Sequence, residues 1–232
     1  MGENGSLQMP EVYVKRPKTK AERTARYGRI LGELDELYPN VTCALHHSNP
    51  WELLVATILS AQCTDERVNM VTPGLFAKYP TMEDLAHAPV EEVAQVIRST
   101  GFFNNKAKNI VGAARRILTE YGGEVPQNMK DLLTVPGAAR KTANVVLGTS
   151  FGIASGVVVD THVSRITQRL DFTREITPEK IERDLIALLP QERWIQFSHQ
   201  LIYFGRQTCV ARKPRCAECR LEQLCYAEDK TI

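Results

Sequence analysis

The sequence predicts an all-α fold, and three observations carry that prediction. Apolar residues recur at helical spacing, helix-start chemistry appears repeatedly, and only Gly156–Val159 looks extended, which is too short for a sheet. Taken in order, residues 1–20 lack apolar periodicity and contain Pro10 and Pro17, so a flexible basic tail is expected there. From Lys15 to Arg26 six basic residues stand against one acid, Glu22, which reads either as a solvated segment or as non-specific attraction for phosphate. Tyr27, Ile30, Leu31, Leu34 and Leu37 then share one face of a first helix. Further helices are expected to start at Asn49-Pro50 with Glu52, at Thr72-Pro73, at Thr81 with Asp84 and at Thr177-Pro178 with Glu179. Each offers a polar cap followed by proline or an acid in the first turn. Ile110, Ala114, Ile117, Leu118 and Tyr121 mark another helix, stopped by Gly122-Gly123, where a left-handed residue is easily adopted.

Composition narrows the function classes. The 232 residues are 43% hydrophobic and 24% charged, enough to bury real cores and unlike a disordered chain. A net charge of +2 is too small to announce a nucleic-acid partner, so any such partner must be read from local patches. The N-terminus lacks the apolar run of a signal peptide, and no 18-residue uncharged apolar stretch exists for a membrane span. A cytoplasmic, nucleoid-associated monomer is the expectation, and its six cysteines then point to metal or catalysis before disulfides.

Three constellations carry chemistry. In the run Leu132 to Leu147 a short helix is expected to end at Pro136-Gly137 and a second to begin at once, with Ala143, Val146 and Leu147 inward. Such a helix-hairpin-helix turns the orphan N–H groups of the second helix outward, where a phosphate can sit; the alternative is a plain hairpin between packed helices. Lys141 falls in the first turn of that second helix and reads either as an ordinary surface lysine or as a nucleophile, since a cation there opposes the helix dipole and a neutral amine would be expected to be more accessible. Asp160 directly precedes a helical pattern, so its plain reading is an N-cap, with which a catalytic role is compatible. Finally, Cys209, Cys216, Cys219 and Cys225 form a C-x6-C-x2-C-x5-C array within the last 24 residues. Four thiolates so spaced can hold zinc or a [4Fe–4S] cluster. Arg206, Arg212, Lys213 and Arg215 lie beside or between the first two cysteines without an acid among them, giving either a phosphate clamp or a staple with incidental charge. Cys43 and Cys63 lie outside the array and read as small packed residues.

Together these runs resemble the endonuclease III family of DNA glycosylases from about Ala21 onward. The resemblance rests on Leu59-Ser60-Ala61-Gln62 with Thr64-Asp65, on Val135-Pro136-Gly137 with Arg140-Lys141-Thr142-Ala143, on Val159-Asp160-Thr161-His162, and on the cysteine spacing. It implies two helical domains with a cleft between them: a six-helix barrel domain at about 43–153 containing the hairpin, and a second made of 21–42 plus 154–232 with a [4Fe–4S] cluster loop. It also implies excision of oxidised pyrimidines from damaged double-stranded DNA, followed by strand cleavage at the abasic site. Lys141 would be the amine that attacks C1′ and Asp160 the assisting carboxylate. Gln62 would fill the gap left by the flipped nucleotide, Phe102 would be an apolar wedge, and Gly137, Ala139, Arg140, Arg212 and Lys213 would touch DNA. Two positions depart from the family pattern: Ala139 replaces the second hairpin glycine, which would lower affinity if that backbone needs positive φ or a phosphate must approach closely, and Phe102 replaces an aliphatic wedge, which would change the opposite bases accommodated. The related adenine-mismatch glycosylases share the hairpin, aspartate and cluster, but normally lack a lysine at the position of Lys141 and carry a further C-terminal domain. A non-enzymatic DNA-binding protein with a zinc staple would need no Lys141.

Overall fold

The computed structural model describes residues 16–232, so residues 1–15 of the expected tail lie outside the described residues. The described chain forms eleven α-helices and four short 3-10 turns, with no strand among them. The first helix, α1 (Lys20–Leu37), starts one residue inside the expected tail because Thr19 and Glu22 close a capping box. Its Arg26 does not face solvent. It is 6% exposed, donates to the Leu170 and Leu224 carbonyls at 2.7 and 3.1 Å, and lies over the Tyr226 ring. That arginine is therefore withdrawn from any phosphate-attracting run.

Helices α2 (Pro50–Leu59), α3 (Asp65–Lys78), α4 (Met82–His87), α5 (Val90–Val96), α6 (Phe103–Tyr121), α7 (Met129–Leu132) and α8 (Arg140–Phe151) follow. Asn49 and Thr81 cap α2 and α4 through their side chains, as their chemistry predicts, and α6 stops at Gly122 with φ 60°. The start expected at Thr72-Pro73 is a correction: α3 begins at Thr64, whose hydroxyl accepts the Arg67 N–H, and Pro73 lies inside the helix. A proline removes one N–H and disfavours helix at the residue before it. Here Thr72 is fully packed and α3 continues through the local defect. The chain ends with α9 (Thr161–Arg169), α10 (Pro178–Leu188) and α11 (Trp194–Gln207), followed by the cysteine-bearing segment.

Apolar side chains segregate into two cores. One is built by α2–α8, with Leu54, Leu75, Ile110, Ile117 and Leu147 fully buried. The other joins α1 to α9, α10 and α11 through Ile30, Leu34, Ile166, Leu185 and Phe197, and includes Leu221 and Leu224 of the cysteine segment. Each such side chain contributes about 1.5–3 kcal/mol, so both cores are substantial. Packing of α1 against α11 brings the first helix to the end of the chain.

Candidate nucleic-acid and catalytic site

The hairpin differs in detail from its sequence expectation. The short helix α7 ends at Leu132 and not at Pro136-Gly137, because residues 133–136 descend as successive turns, with Thr134 N bonded to Asp131 O and Val135 N to Leu132 O at 3.0 Å. Proline at 136 cannot donate and disfavours helix before it. Gly137 then reverses the chain at φ 81°, where an added Cβ would meet Asn109 Cβ at 3.0 Å and Ile58 Cδ1 at 3.1 Å. Both the backbone angle and the space demand glycine there. Ala139 needs no such freedom, since it is the exposed N-cap of α8 with φ −69° and ψ 168°. Of the two conditions under which alanine would matter here, positive φ is not met, and close approach of a phosphate is what remains. Because Ala139 offers no capping side chain, the first N–H groups of α8 remain for an anion. Alanine caps poorly and glycine better. Ala139→Gly is accordingly expected to keep or raise the thermal midpoint, and to tighten DNA binding only if the methyl group itself obstructs a phosphate; a lowered midpoint would contradict the N-cap assignment.

Lys141, the second residue of α8, is exposed and has no ion pair among the described residues. It lines the same cleft as Asp160, a space of about 790 Å³ including its open mouth. The walls come from both cores: Thr57, Ser60, Asn144 and Gly148 on one side, Val158, Ile202, Tyr203 and Arg206 on the other. Asp160 caps α9, accepting the Val163 N–H on Oδ1 at 2.8 Å. The cap fixes the carboxylate at the edge of the cleft through one of its two oxygens.

Sequence reasoning missed several of the walls. His199 lines the cleft from α11, and burial lowers its pKa from the ordinary histidine value, which favours the neutral imidazole. Burial also lowers His162, with Asp160 opposing that effect. Arg206, read from sequence as part of a basic loop, pairs instead with Asp65 at the start of α3 and bridges the two sides. Its position before Cys209 gave no hint of that partner, 141 residues away.

Gln62 and Phe102 share an unusual backbone. Among the described residues four non-glycine residues have positive φ, and three of them are Gln62 (52°), Phe102 (47°) and Lys213 (52°), all expected DNA contacts. Left-handed backbone costs a non-glycine residue about 1–2 kcal/mol, and such strain gathers at functional sites. Phe102 is also 64% exposed, a large apolar ring held in water. Lys106 explains how the two loops are held. Its buried Nζ donates to Leu59 O and Thr100 O, both at 2.8 Å, so the Gln62 loop and the Phe102 loop leave from one anchored point.

Cys209, Cys216, Cys219 and Cys225 line a single pocket with Arg169, Phe204 and Leu221. Among the described residues no three metal-binding side chains are gathered as a metal site. The donor chemistry nevertheless fits a cationic group: burial, and then the neighbouring thiols, push Cys219 up to about 11, and burial raises Cys225. Four thiolates so placed would repel one another unless iron or zinc neutralised them. From α9, Arg169 donates to Cys209 Sγ at 3.3 Å and Arg165 to Cys209 O at 2.8 Å, so the helix capped by Asp160 also holds the cysteine loop. Arg212, Lys213 and Arg215 are exposed on that loop. Cys43 and Cys63 are half-buried against the first core.

Comparison with known proteins agrees with this geometry. Residues 55–191 match the HhH-GPD superfamily base excision DNA repair proteins. Endonuclease III of Synechocystis sp. is 58% identical over 205 residues, which span 88% of this chain and 94% of that protein. A non-covalent endonuclease III–DNA complex superposes with a TM-score of 0.83 at 43% identity, covering 88% and 95% of the two chains. A trapped endonuclease III–DNA covalent intermediate gives 0.84 at the same identity and coverage.

Proposed function

The chain belongs to the HhH-GPD superfamily of base excision DNA repair proteins, and from that premise we propose that it removes oxidised pyrimidines from duplex DNA and cuts the strand through a Schiff base on Lys141. It is a base-excision repair glycosylase and lyase acting on DNA. The observation that carries the assignment of residues is the meeting of Lys141 and Asp160 in one cleft walled by both cores. The reading divides the chain into a hairpin domain at about 43–153 and a second domain of 21–42 plus 154–232. Support comes from the two separate hydrophobic cores.

Reaching the glycosidic bond requires extruding the nucleotide, at a few kcal/mol of lost pairing and stacking. Gln62 and Phe102, already held in strained, exposed turns, enter the vacated stack and offset part of that loss. The N–H groups at the start of α8, with Gly137, Ala139 and Arg140 around them, bind the backbone phosphate. The Lys141 amine then forms a bond to C1′ as the base departs, and Asp160 takes up the proton or stabilises the positive charge that develops on the sugar. The aminal so formed opens its sugar ring, breaking C1′–O4′ with a proton passing to O4′, and loss of a C2′ proton from the resulting imine then expels the 3′ phosphate and breaks the strand.

Cys209, Cys216, Cys219 and Cys225 would hold a [4Fe–4S] cluster, whose contribution is to fold and charge the loop and not to react. Visible absorbance of the purified protein tests iron–sulfur against zinc. The loop's exposed Arg212 and Lys213 are DNA contacts in this reading. Arg212→Ala with Lys213→Ala should weaken lesion and intact duplex alike and lower the salt slope by up to about two units. Unchanged affinity for intact DNA would remove the clamp.

The function is tested by borohydride trapping on duplexes that each carry one defined lesion. Trapping on oxidised pyrimidines above undamaged controls is the expected result. Binding to damaged duplex without adduct or nick would instead make the protein a DNA-binding module.

A further inference from the structure

Glu182 belongs to none of the motifs that mark the site, yet it touches both halves of it. It lies on α10, is 6% exposed, and accepts from Arg140 through both oxygens, Nε to Oε2 at 2.7 Å and NH2 to Oε1 at 3.1 Å. Oε1 also accepts from Asn144 Nδ2 at 2.9 Å, and Asn144 Oδ1 accepts the Ser155 hydroxyl at 2.8 Å. The backbone at Gly156 packs directly on the carboxylate, for a Cβ there would stand 2.0 Å from Oε1. Arg140 and Asn144 flank Lys141 on α8, whereas Ser155 and Gly156 begin the extended segment that ends at Asp160. One buried carboxylate from the second core therefore bonds to the element carrying the amine and packs against the element carrying the acid, to which Asn144 is itself bonded through Ser155.

A carboxylate is withdrawn from water at high cost unless it is paired and fully bonded, and a forked arginine with an amide meets that demand. The same bonds are directional, so they fix where α8 begins relative to the segment before α9. We propose that Glu182 is a positioning residue that holds Lys141 in register with Asp160 across the cleft. The proposal rests on the Schiff-base reading above. Glu182 itself touches no reacting atom; it acts by limiting how far the amine can stray, and a displacement of about 1 Å can slow a reaction by about a hundredfold.

The test compares the full chain with Glu182→Gln and Leu185→Ala on a duplex bearing one abasic site, under saturating enzyme, with borohydride trapping rate, duplex affinity and thermal midpoint measured for each. Gln keeps the volume and can still meet Asn144, but loses the charge that forks Arg140. Leu185→Ala removes core contact from the same helix and leaves the fork in place. Glu182→Gln should trap at least tenfold more slowly with affinity within twofold of the parent, while Leu185→Ala traps near the parent rate despite a lower midpoint. Trapping by Glu182→Gln within twofold of the parent overturns the proposal, and so does equal slowing by Leu185→Ala, which would make the effect one of stability alone. If Glu182→Gln does not fold, Glu182→Asp keeps the charge one methylene short: slower trapping at unchanged affinity supports the brace, and the parent rate overturns it. A parent protein that forms no adduct sinks the Schiff-base reading and the brace with it, an outcome distinct from a trapping parent with an unaffected variant.

Discussion

Lys141→Gln is expected to bind an abasic-site duplex as the parent does, yet to leave no borohydride-stable adduct and to cleave lesions at least about a thousandfold more slowly. A thousandfold loss corresponds to about 4 kcal/mol of transition-state stabilisation, a magnitude suited to removal of a covalent nucleophile. The substitution is mild for the fold because Lys141 is exposed and makes no ion pair among the described residues. Its neighbours Ala143 and Asn144 carry the buried face of α8. Melting temperature and duplex affinity should therefore stay near the parent values, which separates lost chemistry from lost structure. Near-normal trapping by this variant would end the mechanism proposed here.

Asp160→Asn should produce the second large effect, and for a different reason. The amide oxygen of Asn caps a helix about as well as a carboxylate, so the bond from the Val163 N–H and the start of α9 should survive. The stability change should then stay within about 0.5 kcal/mol, whereas base excision under single-turnover conditions should fall by about a hundredfold or more. Retained excision would reduce Asp160 to its capping role. The two variants also differ on a duplex that already contains an abasic site. The Lys141 variant should be inert there, while the Asp160 variant should keep a measurable part of its trapping, because no base remains to be expelled.

Several parts of this site were legible in the sequence because their causes are local. The polar caps at Asn49 and Thr81 act within three residues, and Gly137 follows from a turn that leaves no alternative, so a linear reading finds them. Lys141, Asp160 and the four cysteines were likewise found from short runs. The resemblance to a known family gave the first two their roles. Local chemistry misled where two local rules competed: Thr72-Pro73 looks like a helix start, but the cap at Thr64 had already begun α3. Pro136-Gly137 looks like a helix end, but the helix stops at Leu132.

What the sequence by itself determined was a helical chain with a glycine-turned hairpin, an amine and a carboxylate near helix starts, and a set of thiols. Tertiary structure alone decided which charges are spent inside the protein. Arg26 turns to the carbonyls of Leu170 and Leu224, Arg206 to Asp65, and Lys106 to the carbonyls of Leu59 and Thr100. The reason is physical: helix periodicity and capping are fixed by neighbours within about four residues. A buried ion's partner is fixed instead by whatever group the packed cores bring within bonding distance, and that group can lie more than a hundred residues away along the chain.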